Sequence, residues 1–529
     1  MFRHIFTFLL VTLFLSSCAK RATISGGTKD TIAPVMKQSF PPNYSTNFKE
    51  KEIKIVFDEY IKLKNLSKQL IVSPPMQRQP IITPTTASKI LTIKILDTLK
   101  PNTTYSFNFG KSIEDNNEGN PYQQFKYVFS TGSVIDSLKL RGRVVDAYNK
   151  DVESFVSVML YEYDEKYTDS LVYKERPRYI TSTLDSIKIF EIENLKPGKY
   201  KLIALKDKNS NNKYDPKADK IGFVSSIVTI PSDSIFTIKL FKETLPLKLN
   251  KPSQANGSKL TLGYEGNFEK ATVKTFDGSR EVKNVLTKVI DKDSVLVWIP
   301  SLVKDSVRVE VSADNYKKSF SVRLKEQKND SLVLSPKFGN SLPLREAFVL
   351  KSSVPLLTID STLISVKSQD STAQKFKISY NNFMTEMKID FPREALEKYK
   401  IEILPGALTD FYDKKNDSLR YSISTLNTSD YGNLRMTISN IKSYPVIVEL
   451  SDTKGSTVAT KYLEEGNVVD FNLIDPMLYN IRIIYDRNKN RRWDEGNFLQ
   501  NLQPEEVIYF PAQIDVRANW DVDQPFILK

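Results

Sequence analysis

Hydrophobic and polar residues alternate with period two along most of the chain. Glu52–Phe57, Lys89–Leu96, Thr104–Phe109 and Tyr122–Ser130 are β-branched or aromatic runs of this kind, each bounded by Pro, Asn, Asp or Gly. Val295–Ile299 and Val307–Val311 carry the same texture, which continues to Leu528. Short strands with turn residues between them predict an all-β chain of sandwiches. One stretch has a different rhythm: Arg393–Lys400 has the spacing of a helix of about two turns.

A leader precedes this pattern. Met-Phe-Arg-His is followed by the apolar run Ile5–Leu15 and then Ser16-Ser17-Cys18. A basic start, a short apolar core and small residues before a cut are the marks of an export signal. The run is shorter than the roughly 20 apolar residues that span a bilayer.

Leu15-Ser16-Ser17-Cys18 resembles the lipobox of bacterial lipoproteins. The resemblance implies a signal peptide over 1–17 and a Cys18 thiol that carries lipid such as palmitate. Residues 18–29 are then a small, polar tether, and several acyl chains hold the protein on a membrane. Ala19 stands where proteobacterial lipoproteins kept in the inner membrane have Asp, so the outer membrane is expected. Lys20-Arg21 differs from the acidic cluster of surface-exported Bacteroidota lipoproteins, so the chain is expected to face the periplasm, with cell-surface display as the alternative.

Beyond the tether, residues 30–134 resemble a bacterial Ig-like domain. The resemblance is carried by Asp30–Pro34, Phe40–Asn43, Ile53–Glu59, Leu99–Tyr105 and Tyr127–Gly132. Residues 135–245 are similar to transthyretin-like or carboxypeptidase-regulatory-like β-domains, through Leu140–Asp146 and Ile192–Tyr200, where Pro197-Gly198 supplies a tight turn. Residues 246–335 form a further β-module. Residues 336–428 close on Tyr421–Thr425 much as the first domain closes on Phe129–Thr131, and are expected to be a divergent Ig-like domain. Residues 429–529 resemble the second domain again. The expected architecture is therefore tandem Ig-like and transthyretin-like β-sandwiches behind a lipoprotein signal peptide.

Composition narrows the chemistry. The chain of 529 residues has one Cys and one His. A single Cys excludes an intrachain disulfide and Cys-rich metal sites. The single His is His4, inside the leader, so the exported part is expected to lack Ser-His-Asp machinery and His-ligated zinc. Carboxylate pairs suited to a hydrolase are still available among 63 acidic residues, but none stands out. Glu114-Asp115 and Glu118 read as a polar hairpin loop. The net charge of +13 is spread without a dense basic run, which points to a solvated lysine-rich surface and not to nucleic acid. No cofactor is expected, and no enzymatic activity.

Two local patterns recur. Asp207-Lys-Asn-Ser-Asn-Asn-Lys-Tyr-Asp215 and Asp486-Arg-Asn-Lys-Asn-Arg-Arg-Trp-Asp494 share the form Asp-x-Asn-x-Asn-x-x-aromatic-Asp, each after a strand. Alternating oxygens at Asp207, Asn209, Asn211 and Asp215, and at Asp486, Asn488, Asn490 and Asp494, have the spacing of an EF-hand-like calcium loop. Asn212 and Arg491 replace its Gly, Ala218 and Asn497 replace its bidentate Glu, and Lys and Arg crowd both loops. A self-capping Asx turn is the other reading, so a structural Ca2+ stays open beside it. Separately, Asp followed by Ser or Thr and then a mostly apolar residue recurs twelve times, from Asp30 to Asp417, with copies at Asp185, Asp293, Asp360 and Asp370. The tripeptide resembles the O-glycosylation acceptor of Bacteroidota envelope proteins, while turn chemistry is the reading favoured by the strand that follows most copies.

Together these readings lead to a membrane-anchored, non-enzymatic envelope lipoprotein that acts as a scaffold or binding module, with an envelope protein or glycan as partner. A surface adhesin or glycan-binding protein is the alternative.

Overall fold

A computed structural model describes residues 30–184, 188–289, 292–301, 305–313, 316–381 and 383–528. The leader, Cys18 and the tether lie outside the described residues, as does Asp185. The chain is all-β, built from tandem two-sheet sandwiches, and the only α-helices among the described residues are single turns at Leu66–Gln69 and Leu171–Lys174. It divides into two compact units. Of the described residues, one unit holds 30–143 with Ser154–Ile203 and Ser226–Phe236, and the other holds Val144–Glu153, Ala204–Ser225 and those from Thr237 onward.

In the first unit, period-two alternation becomes burial directly. Along the strand Glu52–Leu63, Ile53, Ile55, Phe57 and Ile61 are buried while Glu52 and Lys54 face solvent. Ile53 lies opposite Ile93 and Ile55 opposite Leu91 on Ser88–Lys94. That sheet runs in the order Met36–Phe40, Glu52–Leu63, Ser88–Lys94, Ile81–Thr83. The facing sheet, Ile71–Ser73, Thr104–Asn108 and Lys126–Ser130, supplies Tyr105, Phe107, Tyr127 and Phe129. The Phe129 ring is the hub, 3.8 Å from Phe48 and 5.5 Å from Tyr105 between centroids. Truncating such a ring typically costs about 3–5 kcal/mol.

Two details of this sandwich depart from expectation. The strand expected over Tyr122–Ser130 begins only at Lys126, because Gln124 takes a left-handed backbone (φ 53°) in a turn whose amide donates to the Gly110 carbonyl. Glu114 and Asp115, expected in a polar loop, are buried in the short strand Ile113–Asp115, and Asp115 caps the hairpin by accepting the amides of Glu118, Gly119 and Asn120.

In the second unit, residues 246–335 form a sandwich around Leu260, Leu262, Val295, Val297, Val307, Val309 and Val311. Residues 336–428 repeat the strand order of the first sandwich. Leu334–Pro336, Phe348–Ser352, Glu386–Asp390 and Lys377–Tyr380 form one sheet, and Lys398–Ile403 stands between Leu419–Thr425 and Ile364–Ser368 in the other. The helix expected at Arg393–Lys400 is absent from this sandwich. The Glu394 amide donates to the Tyr399 hydroxyl (2.8 Å), the Glu397 amide donates to Thr425 Oγ1 (3.1 Å), and Leu396 is left-handed (φ 59°). Lys100, Thr103, Tyr105, Thr131 and left-handed Asn102 make the same turn in the first sandwich. Tertiary capture of the amides thus overrides a local helical rhythm.

The last sandwich has the sheets Val468–Ile474, Gly432–Ser439, Asp521–Ile527 and Thr457–Leu463, Val446–Ser451, Met477–Tyr485, Val507–Tyr509. The second domain has the same order: Ile189–Leu195, Leu138–Asp146, Ile235–Leu240 and Tyr179–Ser182, Ser157–Glu162, Gly198–Lys206, Lys220–Phe223.

Candidate functional site

The two Asp-x-Asn-x-Asn loops leave equivalent strands, Gly198–Lys206 and Met477–Tyr485, and fold alike. In the first, Asp207 Oδ1 accepts the Asn209 amide (3.0 Å), its Oδ2 accepts the Asn212 amide (2.6 Å), and Asn211 Oδ1 accepts the Lys213 amide (2.8 Å). Asp215 Oδ1 accepts the Lys217 amide (3.0 Å). In the second, Asp486 accepts the amides of Asn490 and Arg491, Asn488 Oδ1 accepts the Asn490 amide, and Asn490 Oδ1 accepts the Arg492 amide. Asp494 Oδ2 accepts the side-chain amides of Asn488 (2.6 Å) and Asn490 (2.7 Å). Ser210 and Asn212, like Lys489 and Arg491, hold the left-handed backbone that each turn requires.

A buried carboxylate clamps each loop from outside the motif. Asp219, fully buried, accepts the Lys208 amide on one oxygen (2.9 Å) and the Asp215 amide on the other (2.8 Å). Glu505 does the same for Arg487 (2.6 Å) and Asp494 (3.2 Å). Burial pushes the carboxyls of Asp207 and Glu505 above their ordinary range, and the amide hydrogen bonds only partly offset it.

Side-chain oxygens within each loop accept several of its amides, and the external carboxylate accepts two more. Asn497, at the position of the bidentate Glu in an EF-hand-like loop, accepts the Gln500 amide (2.9 Å). Among the described residues no group of three or more His, Cys, Asp or Glu side chains gathers in a way that would hold a metal ion. The oxygens of Asp207, Asn211, Asp215, Asp486, Asn488, Asn490 and Asp494 do capping work on amides.

Around these loops the structure assembles residues that no motif announced. Arg482 is 1% exposed on Met477–Tyr485. Its Nε donates to Glu449 Oε2 (2.5 Å), its Nη1 to the Tyr509 hydroxyl (3.0 Å) and its Nη2 to the Tyr148 hydroxyl, with the guanidinium 3.8 Å from the Tyr148 ring centroid. A buried charge costs several kcal/mol unless paired and hydrogen-bonded, and here every arm has a partner or an aromatic face. The Tyr509 hydroxyl also donates to the Tyr148 carbonyl (2.8 Å), and Trp493 of the second loop packs 4.8 Å from Tyr148. Tyr214 of the first loop donates to Glu243 (2.7 Å), which accepts the Phe498 amide (2.6 Å), while Phe498 packs edge-on to Phe223 (5.3 Å). Trp493 of the second loop thus borders the Arg482 network, and Tyr214 of the first loop borders a second set of contacts through Glu243 and Phe498. The one sequence signal for the Arg482 network is an arginine inside the apolar run Ile481–Ile484.

The Asp-Ser/Thr tripeptides lie at turns. Asp360 accepts both the amide (3.0 Å) and hydroxyl (2.5 Å) of Thr362, and Asp370 accepts the same two groups of Thr372. The central hydroxyl residue is exposed in most described copies and buried at Ser294. Among the described residues no helix is long and apolar enough to cross a membrane.

Residues 30–131 match the model of a bacterial Ig-like domain, which establishes the Ig-like character of the first sandwich. No match to the chain is found among curated proteins. Among solved structures, the chain is similar to domains 1–6 of the surface layer protein SbsC, at 11% identity over 92% of this chain and 67% of that one, with a TM-score of 0.16. It is also similar to the titin I-band fragment I67–I69, at 12% identity over 54% of this chain and 100% of that one, with a TM-score of 0.13.

Proposed function

We propose that the protein is a lipid-anchored, non-enzymatic lipoprotein of the bacterial cell envelope that serves as a scaffold or binding module. The observation that carries this reading is a bacterial Ig-like domain starting at residue 30, directly behind Leu15-Ser16-Ser17-Cys18 and a short polar tether. Acyl chains on Cys18 supply membrane affinity. The eleven residues 19–29 extend to at most about 40 Å, so the first sandwich stays close to the bilayer. A chain with no histidine beyond His4 lacks the side chain most often used in general acid–base catalysis. Lys20-Arg21 favours the periplasmic face of the outer membrane.

Fractionation of the native cells tests the anchor. Wild-type protein is expected in the outer membrane and labelled by radioactive palmitate, and Cys18→Ser is expected unlabelled and released from that membrane. Retention of Cys18→Ser in the outer membrane would overturn the reading. Protease treatment of intact cells tests the face: complete digestion would place the chain on the surface and favour the adhesin alternative.

A further inference from the structure

We infer that the cleft beside the second acidic loop, bordered by Tyr264, Phe268 and Trp493, is a binding site for a neutral oligosaccharide. The inference rests on the binding half of the proposed function and is independent of the anchor.

The cleft lies between residues 264–295 of the third sandwich and 492–495 of the last, is open to solvent on one side, and has a volume of about 960 Å3. That is at the upper end of the roughly 300–1,000 Å3 usual for ligand sites. On one wall the rings of Tyr264 and Phe268 stack on each other at 4.7 Å with an interplanar angle of 23°, so the pair offers one outer ring face and two ring edges as aromatic surface. On the other, Trp493 is held in place: its Nε1 donates to the Glu505 carbonyl (3.2 Å) and its ring packs on Tyr148. The residue that clamps the acidic loop thus also orients an aromatic wall of the cleft. Arg492 pairs with Glu269 at the cleft, and Asp293, Glu495 and Lys288 complete its charged lining.

The lining selects by elimination. A lipid tail would be confined with charged side chains that lose water without gaining partners. A polyanion would meet four carboxylates, those of Glu269, Asp293, Asp494 and Glu495. A polycation would find Glu269 and Asp494 already paired with Arg492 and would meet Lys288 beside the remaining Asp293 and Glu495. A neutral polyhydroxyl ligand suits both halves of the lining. The C–H face of a sugar ring lies on an aromatic platform, and its hydroxyls donate to carboxylates and accept from ammonium and guanidinium groups.

Isothermal titration of the exported chain, residues 19–529, with cellohexaose, maltohexaose and chitohexaose tests this. At least one of them is expected to bind, and Tyr264→Ala is expected to weaken that affinity about tenfold, the size of a lost stacking contact. Trp493→Ala should weaken it further, and Glu495→Gln should weaken it severalfold with an unchanged melting temperature, which separates ligand contact from misfolding. Binding that all three variants retain overturns the proposal. So does the absence of binding by every hexasaccharide at about 10 mM, a concentration that saturates even millimolar sites. Binding of hexalysine with no sugar bound would assign the cleft to a cationic peptide and overturn it equally. None of these results bears on the membrane fractionation, so the two readings fail separately.

Discussion

Asp219 and Glu505 clamp the same pair of loop amides from different places in the sequence. Asp219 lies four residues after the last Asp of its loop, and Glu505 lies eleven residues after its counterpart; each divides its two oxygens between the second and ninth residues of the motif. The longer route in the last sandwich carries the hairpin in which Asn497 and Leu502 bond to each other. The loop geometry is thus retained while its external clamp differs in both length and origin.

Removing either clamp leaves two amides without their buried acceptor. Asp219→Ala and Glu505→Ala are each expected to destabilise the local fold by about 2–4 kcal/mol. Hydrogen exchange is the direct measurement: the amides of Lys208 and Asp215 should lose protection in the first variant, and those of Arg487 and Asp494 in the second, with little change in the other loop.

Because the loop oxygens cap amides, calcium is expected to leave the protein's thermal midpoint unchanged up to about 5 mM. A saturable rise in the midpoint, abolished by Asp207→Ala together with Asp486→Ala, would instead show that these carboxylates recruit the ion.

Leu396 is 69% exposed and left-handed, so its side chain contributes little burial while its backbone is strained. Leu396→Gly is expected to stabilise the fourth sandwich by about 1 kcal/mol. Thr425→Val, which removes the acceptor for the Glu397 amide and the donor to the Glu394 carbonyl, is expected to destabilise it by about 1–3 kcal/mol. Urea unfolding of the two variants measures both signs.

Glu193 reports on the first unit through pH. Burial alone would raise its carboxyl, but hydrogen bonds from Lys126 and Lys139 outweigh burial and hold it at about 2, below the ordinary 4.5. A carboxyl depressed on folding contributes stability above its unfolded value, and that contribution is lost as pH falls through the folded value. The melting temperature of wild type should therefore exceed that of Glu193→Gln above pH 5, and the gap should close between pH 4.5 and about 2.

The strands were largely legible because alternation is a property of one segment. Ile53, Ile55 and Phe57 must share a face whichever sheet they join. The same holds for the paired acidic loops, whose spacing is visible in both copies and whose turns fold alike. Arg393–Lys400 shows where this ends. Its local rhythm is helical, yet Thr425 and Tyr399 take the amides that a helix would need.

What the sequence determined by itself is an all-β chain with its strand texture, its two recurring loops and the resemblance of its first domain to bacterial Ig-like domains. Tertiary structure alone decided that Asp219 and Glu505 are equivalent, that Arg482 has a complete set of partners in the interior, and that Tyr264, Phe268 and Trp493 line one cleft. The physical reason is range. Periodicity and turn chemistry act over a few residues, whereas an amide clamp, a buried ion pair or a ligand cleft depends on groups tens to hundreds of residues apart, joined only when the sheets pack.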